Sequence, residues 1–171
     1  MIVVVEGIDR VGKTTLCKKL EKLGIKTFKD YSVLDESNES PEVMQKAAHN
    51  AMKTAVSLVN LFEKDVVIDR FHASEAVYGL LDRDCSFTGC LNVFTSIDAM
   101  LSSSGDYMFV LVNPVDIEAS NQQHGSRLND HQAMFKELYK IVPEGKKLEV
   151  DWYTLDYAVE VIMSEIGNQN A

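Results

Sequence analysis

The stretch MIVVVEGIDRVGKTT, residues 1–15, decides the fold of this chain of 171 residues. Ile2 to Val5 is an unbroken run of β-branched residues, which favours a strand buried in a parallel sheet. The phosphate-binding pattern Gly-x-x-x-x-Gly-Lys-Thr follows directly, at residues 7–14, and leucines at helical spacing come next. This order of strand, glycine loop and helix is the context in which the pattern predicts a phosphate site.

The glycine loop has the residues that a nucleoside triphosphate needs, whereas a plain glycine turn would not require the full spacing. Gly7 and Gly12 allow backbone torsions that turn successive N–H groups inward around a phosphate. Lys13 is expected to reach the β- and γ-phosphates, and the Thr14 hydroxyl to bind Mg²⁺. The predicted ATP site consists of Gly7, Ile8, Asp9, Arg10, Val11, Gly12, Lys13, Thr14 and Thr15.

Composition limits the class of protein. The chain is 46% apolar and 25% charged, which is typical of a single globular domain. Its formal net charge of −9 argues against a partner such as nucleic acid or an anionic membrane, which would require a basic surface. Three cysteines match neither a disulfide framework nor a zinc pattern, and the N-terminus has no signal-peptide pattern, so we expect a cytoplasmic protein.

Strand and helix patterns alternate along the rest of the chain. Further strands are predicted at residues 25–28, 65–69, 107–112 and 147–150. Further helices are predicted at residues 43–62, 74–81, 91–101, 114–123, 132–142 and 153–166. The alternation predicts an α/β fold, a three-layer sandwich with a five-stranded parallel sheet flanked by helices. We expect one domain, residues 1–171, with a short lid at about residues 121–130.

Ligands of such sheets bind beyond the carboxyl ends of the strands, so the residues after each strand are the candidates for function. Asp69 and Arg70 close the strand DVVID, where a carboxylate can hold Mg²⁺ and an arginine can clamp a phosphate. Arg10 lies inside the phosphate loop, an unusual position for a long cation unless it contacts the transferred group. Arg127, in HGSRLND, is either a lid arginine or a solvated charge. Trp152 follows the last strand and either stacks on a base or packs.

These motifs resemble the thymidylate kinases. EGIDRVGKTT, followed after one long helix by VVIDRFHASEAVYG, is similar to the phosphate loop and the Asp-Arg-Phe segment of that family. The stretch GSRLND, after the strand YMFVLV and a helix that Pro114 is expected to begin, is similar to the family's lid. The resemblance covers nearly the whole chain in element order, and it implies a P-loop kinase fold.

The resemblance also implies roles for single residues. Arg10 matches a loop arginine that stabilises the transferring phosphoryl group, and Asp9 matches a carboxylate that contacts the 3′-hydroxyl of the acceptor sugar. Asp69 and Arg70 match the pair that serves the Mg²⁺ site and the acceptor phosphate. The implied catalytic residues are Arg10, Lys13, Asp69, Arg70 and Arg127, and the implied metal ligands are Thr14 and Asp69.

The acceptor site follows from further matches. Phe28 matches an aromatic that lines this site, while Ser74 and Tyr78 match a serine and a tyrosine, the latter crowding the 2′ position and favouring deoxyribose. Where the family reads thymine with an aromatic and an arginine, KAAHNAMK has neither, and only His49 or Asn50 takes their place by spacing. The implied site for a deoxynucleoside monophosphate is Asp9, Phe28, His49, Asn50, Arg70, Ser74 and Tyr78, and its base is left open.

Three functions fit the sequence. The first is a deoxynucleoside-monophosphate kinase, similar to thymidylate (dTMP) kinase, which transfers the ATP γ-phosphate with Mg²⁺ to a pyrimidine dNMP, modified or not. A deoxynucleoside kinase would instead phosphorylate a 5′-hydroxyl and needs a base such as Asp9 or Glu6. A non-catalytic nucleotide-binding regulator would need only Lys13 and Thr14.

The resemblance implies a homodimer, because thymidylate kinases associate through helices. Two predicted helices, at residues 43–62 and 91–101, have apolar faces that belong either to such a contact or to the core. The stripe of the longer helix consists of Val43, Ala47, Ala51, Ala55, Leu58 and Phe62.

Overall fold

The computed structural model describes residues 1–29, 40–61, 65–116 and 127–169. In these ranges the strands are β1 (Ile2–Glu6), β2 (Lys26–Lys29), β3 (Val66–Asp69), β4 (Tyr107–Asn113) and β5 (Lys147–Asp151). The helices of the same ranges are α1 (Lys13–Lys22), α2 (Pro41–Leu61), α3 (His72–Asp82), α4 (Phe87–Ser103), α5 (Leu128–Ile141) and α6 (Leu155–Gln169). A short 3₁₀ helix, Trp152–Thr154, precedes α6.

The strands of the described residues form one parallel sheet in the order β2-β3-β1-β4-β5. The predicted α/β sandwich with a five-stranded parallel sheet is therefore confirmed. Because β1 is central, the loop that follows it emerges in the middle of the carboxyl edge of the sheet. The ends of β3 and β2 lie on one side of this loop, and those of β4 and β5 lie on the other.

The core forms on both faces of the sheet. Every residue of β1 is buried, as are Tyr107–Val112 of β4, which is why these strands read as continuous apolar runs. Phe94 of α4 and Phe135 of α5 are completely buried against this sheet layer. Among the described residues, no helix is both long and apolar enough to cross a membrane.

Most of the apolar stripe predicted for α2 lies outside the core, and among its described members only Ala55 is partly buried against it. Val43 is 50% exposed and Leu58 is 49% exposed, Ala47 and Ala51 are also exposed, and Phe62 lies outside the described residues. The core side of α2 is formed instead by Ala48, Met52 and Val56. Apolar residues occupy both sides of this helix, so the spacing pattern alone does not distinguish the face that packs on α3 and α4.

Two helix starts differ from the prediction by four residues. Helix α4 begins at Phe87, not Leu91, because the Ser86 hydroxyl caps it by accepting a hydrogen bond from the Gly89 N–H, at 3.1 Å. Helix α5 begins at Leu128 rather than Gln132. Residues 114–116 are not helical, and the rest of the helix predicted there lies outside the described residues, as do residues 121–126 of the predicted lid.

Candidate active site

The phosphate loop requires glycine at two positions. Gly7 and Gly12 have φ angles of 137° and 104°, values that L side chains rarely adopt. A Cβ atom on Gly7 would collide with the carbonyl oxygen of Val112, and one on Gly12 would lie 2.6 Å from Cε3 of Trp152. The loop therefore has both the torsions and the close backbone approach of a phosphate cradle.

Lys13 lies buried inside this loop. Its Nζ donates hydrogen bonds to the carbonyl oxygens of Gly7, at 2.8 Å, and of Ile8. Burial lowers the pKa of Lys13 to about 8, although the charges of Asp69 and Glu6 act in the opposite direction. Polyphosphate oxygens in the loop would supply this ammonium with the negative charge that the two carbonyl groups do not provide.

Thr14 and Asp69 meet at the end of β3. The Thr14 Oγ1 donates a hydrogen bond to Oδ2 of the buried Asp69 at 3.0 Å. Hydroxyl and carboxylate oxygens are ligands that Mg²⁺ prefers, and it is usually held by one or two protein groups together with substrate phosphates. No cluster of three or more histidine, cysteine or acidic side chains forms a metal site in the described ranges, so the pair fits Mg²⁺ only in this shared form.

Arg70 is held in a defined orientation beside the loop. It forms an ion pair with Asp9, and its guanidinium lies over the Tyr78 ring, 5.7 Å from the centroid. Its backbone N–H donates to the carbonyl oxygen of Val5 at 2.9 Å. Arg70 has a φ of 69° and Arg10 a φ of 61°, a left-handed conformation that costs non-glycine residues on the order of 1 kcal/mol. Such strain is common at binding sites.

These groups face one cleft of about 600 Å³ at the carboxyl edge of the sheet. Its lining consists of Asp9, Arg10, Gly12, Lys13, Thr14, Thr15, Lys29, Asp69, Arg70 and Trp152. Four of these side chains are basic and two are acidic, so the lining has a formal charge of +2 with Lys13 protonated, in a chain of −9. The cleft is thus a local site for anions.

Glu6, the last residue of β1, fixes the start of α3 beside this site. Its Oε1 accepts hydrogen bonds from the backbone N–H groups of Phe71, Ala73 and Ser74, at 2.9, 3.0 and 3.2 Å. Its Oε2 accepts from the Ser74 hydroxyl at 2.5 Å. The carboxylate is fully buried and caps the N-terminus of α3, which begins two residues after Arg70.

The residues predicted for the acceptor are only partly brought together. Asp9 and Arg70 line the cleft, whereas Phe28, His49, Asn50, Ser74 and Tyr78 are absent from its lining in the part of the chain described. The Ser74 hydroxyl donates a hydrogen bond to Glu6, and the Tyr78 ring packs against the guanidinium of Arg70. His49 hydrogen-bonds with its Nε2 to Ser96 Oγ, at 2.6 Å, and partial burial lowers the pKa of His49. Asn50 is exposed on α2, and Phe28 is exposed at the end of β2.

Arg127 is anchored away from the cleft. Its Nη1 lies 3.5 Å from Oδ1 of Asp82, at the end of α3, and its side chain is mostly exposed. His131 contacts the other oxygen of the same carboxylate with Nε2, at 2.9 Å, and its Nδ1 is 2.6 Å from the Arg127 carbonyl oxygen. Arg127 therefore connects the start of α5 to α3.

Two cleft residues, Lys29 and Trp152, are absent from the predicted catalytic and binding sets. Lys29 is the last residue of β2, and Trp152 directly follows β5. The signal that marks both is a position at the carboxyl end of a strand, yet a lone lysine or tryptophan there has no motif around it. Their common cleft appears only when the strand order is known.

No family model and no curated protein matches this chain. Solved structures do match. The YorR protein of Bacillus subtilis, in complex with phosphorylated GDP, is 18% identical with a TM-score of 0.69, covering 99% of this chain and 98% of that one. A thymidylate kinase from Candida albicans is 17% identical, with a TM-score of 0.64 and coverage of 99% and 92%. A deoxyadenosine kinase from M. mycoides is 17% identical, with a TM-score of 0.61 and coverage of 98% and 100%. The chain has the α/β fold of P-loop nucleotide kinases.

Proposed function

We propose that this protein is a deoxynucleoside-monophosphate kinase of the thymidylate kinase type, which converts ATP and a dNMP to ADP and a dNDP. The observation that carries the proposal is the position of Arg70 and Lys29 in the same cleft as the phosphate loop. Two cations beyond those of the loop suit an acceptor that has a phosphate of its own. A nucleoside acceptor would bring no negative charge to Lys29, and none to replace Asp9 as the partner of Arg70.

Catalysis in this proposal is positioning together with charge stabilisation. Lys13 holds the donor phosphates, and Arg10 lies beside them in the cleft, where it can contact the transferred group. Arg70, oriented by Asp9 and Tyr78, holds the acceptor phosphate in line. Thr14 and Asp69 would hold Mg²⁺, whose chemistry there would be to offset the negative charge of the phosphates. No dedicated base is needed, because a monophosphate is already ionised at neutral pH.

The deoxynucleoside kinase alternative needs a carboxylate that accepts a proton from a 5′-hydroxyl. Glu6 is fully buried with both oxygens engaged by hydrogen bonds to α3, and Asp9 is paired with Arg70. Each carboxylate is thus engaged by another group in this structure, which supports the monophosphate acceptor. The likeness in fold to deoxyadenosine kinases makes the two acceptors worth comparing directly.

A pyrimidine base, with or without a 5-substituent, is proposed from the resemblance to thymidylate kinases. The acceptor residues Phe28, His49 and Asn50 belong to this proposal, together with Ser74 and Tyr78 as supports of the site. The catalytic role of Arg127 is likewise proposed, and it requires Arg127 to leave Asp82 when the lid closes. A closed lid would exclude water and prevent wasteful hydrolysis of ATP.

A homodimer is proposed through α2. The exposed side chains Val43, Ala47, Ala51 and Leu58 form an apolar stripe on this helix. Light scattering should give the mass of two chains, and Leu58→Glu should give the mass of one. Ala133→Glu, at an exposed position of α5, is the control. A monomeric wild-type protein would contradict the proposal.

The deciding experiment is a coupled assay of ADP formation with MgATP across dTMP, dUMP, dCMP, dAMP, dGMP and 5-substituted pyrimidine dNMPs, with the matching nucleosides in parallel. We expect turnover of at least one pyrimidine dNMP and none of the nucleosides. Phosphorylation of nucleosides alone would establish the alternative acceptor. No turnover of any compound would favour the non-catalytic regulator.

Lys29→Gln tests the acceptor cations in the same assay. We expect the KM for the dNMP to rise about tenfold, as for loss of one charged phosphate contact, with the KM for ATP unchanged. Lys26→Gln, on an exposed lysine of the same strand outside the cleft, is the matched control. Equal kinetics of the two variants would remove Lys29 from the acceptor site.

A further inference from the structure

Trp152 lies at the opposite end of the cleft from Lys29. The sheet order puts β5 two strands from the central β1 on one side and β2 two strands from it on the other. With about 4.8 Å between neighbouring strands, the ends of β2 and β5 are roughly 19 Å apart. Asp69 and Lys29 are the last residues of β3 and β2, and Arg70 directly follows β3. The charged acceptor side and Trp152 therefore flank the phosphate loop from opposite directions.

The indole is partly packed and partly open. Its Cε3 and Cζ3 atoms are those that a Cβ on Gly12 would meet, at 2.6 and 3.0 Å, so the benzo edge contacts the phosphate loop. The same Cβ would lie 3.2 Å from Cδ1 of the buried Leu155. Yet Trp152 is 49% exposed, and it lines the same cleft as the phosphate loop. A large aromatic surface is therefore held open next to the site of the triphosphate.

The polar groups that flank Trp152 fix its backbone. Asp151 Oδ1 accepts hydrogen bonds from the N–H groups of Tyr153 and Thr154, at 2.9 and 3.1 Å. The Thr154 Oγ1 accepts one from the Asp151 N–H at 2.9 Å, which completes a capping box around the 3₁₀ helix. Both side chains are used in this box, so they fix the backbone that carries the indole and are not directed at a ligand.

We propose that Trp152 is the stacking platform for the base of the phosphate donor. A triphosphate in the loop has its acceptor on the side of Lys29 and Arg70, so its nucleoside extends toward β5. Every nucleobase has a π face, and stacking on an aromatic side chain discriminates weakly among bases. The donor class is therefore nucleoside triphosphates in general, with purines bound more tightly because they stack over a larger area. This inference rests on the proposed function only in taking a nucleoside triphosphate as the ligand of the loop.

The experiment uses the intrinsic fluorescence of Trp152, the single tryptophan of the chain. Purified protein is titrated with MgATP, MgGTP, MgCTP and magnesium tripolyphosphate, the last having the phosphates but no base, and affinities are also measured by calorimetry. We expect the three nucleotides to quench the emission and tripolyphosphate to leave it almost unchanged. MgGTP should bind within about tenfold of MgATP.

Two variants and a control complete the test. Trp152→Ala should bind MgATP between about fivefold and a hundredfold more weakly, approaching the affinity for tripolyphosphate, which itself should not change. Trp152→Phe keeps a stacking ring and should retain most of the affinity, which separates stacking from general damage to the loop. Tyr153→Leu, at the exposed neighbouring aromatic, should bind like the wild type. Thermal melts followed by circular dichroism verify that each variant is folded.

Each outcome decides the inference. Equal binding of MgATP by the wild type and Trp152→Ala, or equal quenching by tripolyphosphate, would overturn it, as would binding of ATP a thousandfold tighter than GTP and CTP. Base-dependent quenching in a protein that forms no ADP with any acceptor would support this inference and overturn the proposed function. Kinase activity on a dNMP with an unchanged KM for ATP in Trp152→Ala would support the proposed function and overturn this inference.

Discussion

Replacement of Glu6 tests whether this carboxylate supports the site or acts in the chemistry. Its oxygens accept four hydrogen bonds from α3 in a fully buried position. In Glu6→Ala, three N–H groups and one hydroxyl lose their acceptor, and buried donors without partners cost about 1–3 kcal/mol each when considered singly. Since such costs are not additive and the helix end can relax, we expect a loss of about 4 kcal/mol in the free energy of unfolding.

Glu6→Gln is the conservative variant. The amide oxygen can still accept the three N–H bonds, and the new NH₂ group can donate to the Ser74 hydroxyl, which in the wild type is the donor. The variant thus loses the charge and reverses one hydrogen bond. The charge strengthens these hydrogen bonds and interacts favourably with the helix dipole, so its loss should lower the free energy of unfolding by about 2 kcal/mol. Urea denaturation followed by circular dichroism measures both losses. Glu21→Gln, at an exposed position of α1, should change the free energy of unfolding by less than about 0.5 kcal/mol.

Kinetics separate the two roles. If Glu6 only positions α3, then Glu6→Gln, assayed well below its melting temperature, keeps kcat within about threefold of the wild type. A general base at this position would be worth about 10²–10⁴ in rate. A Glu6→Gln protein of unchanged stability with kcat reduced a hundredfold would refute the supporting role and revive the nucleoside acceptor.

Three further predictions concern the cleft. Arg10→Ala should lower kcat about a hundredfold with little change in KM, because it removes a donor that stabilises the transition state. Lys18→Ala, which removes an exposed cation of α1, is the control and should leave kcat unchanged. Steady-state kinetics measure both variants. Asp69→Asn should raise the Mg²⁺ concentration needed for half-maximal activity about ten- to a hundredfold, measured by magnesium titration at fixed ATP. Burial lowers the pKa of Lys13 to about 8, so the free protein loses this proton as the pH rises through 8, while binding of polyphosphate favours the charged form. The affinity for ATP should therefore fall about tenfold between pH 7 and 9. Binding of ATP in this range should take up a proton, which calorimetry in two buffers with different ionisation enthalpies detects. The Lys13→Met variant should show no such proton uptake.

Much of the fold was predictable because its signals are local. The buried strands of this parallel sheet contain continuous branched runs, IVVV in β1 and VVI in β3, and at least one helix lies between consecutive strands. The start of α4 was less predictable, since a single cap, Ser86, decides it, and the start of α5 at Leu128 has no side-chain cap that would mark it in the sequence. The core face of α2 was not predictable, because alanines and other apolar residues lie on both of its sides and only the position of α3 and α4 selects one.

The sequence by itself determined the phosphate loop, with Gly7, Gly12, Lys13 and Thr14, because this motif acts through neighbouring residues whose spacing along the chain is their spacing in space. It also marked Asp69 and Arg70 as residues at a strand end.

Only the tertiary structure decided what meets at that loop. Thr14 and Asp69 are 55 positions apart, and Glu6 and Ser74 are 68 apart. Trp152 and Lys29 enter the same cleft from opposite ends of the sheet. The physical reason is that long-range partners depend on the order in which strands pair, and strand order follows from the packing of the whole domain rather than from any local pattern.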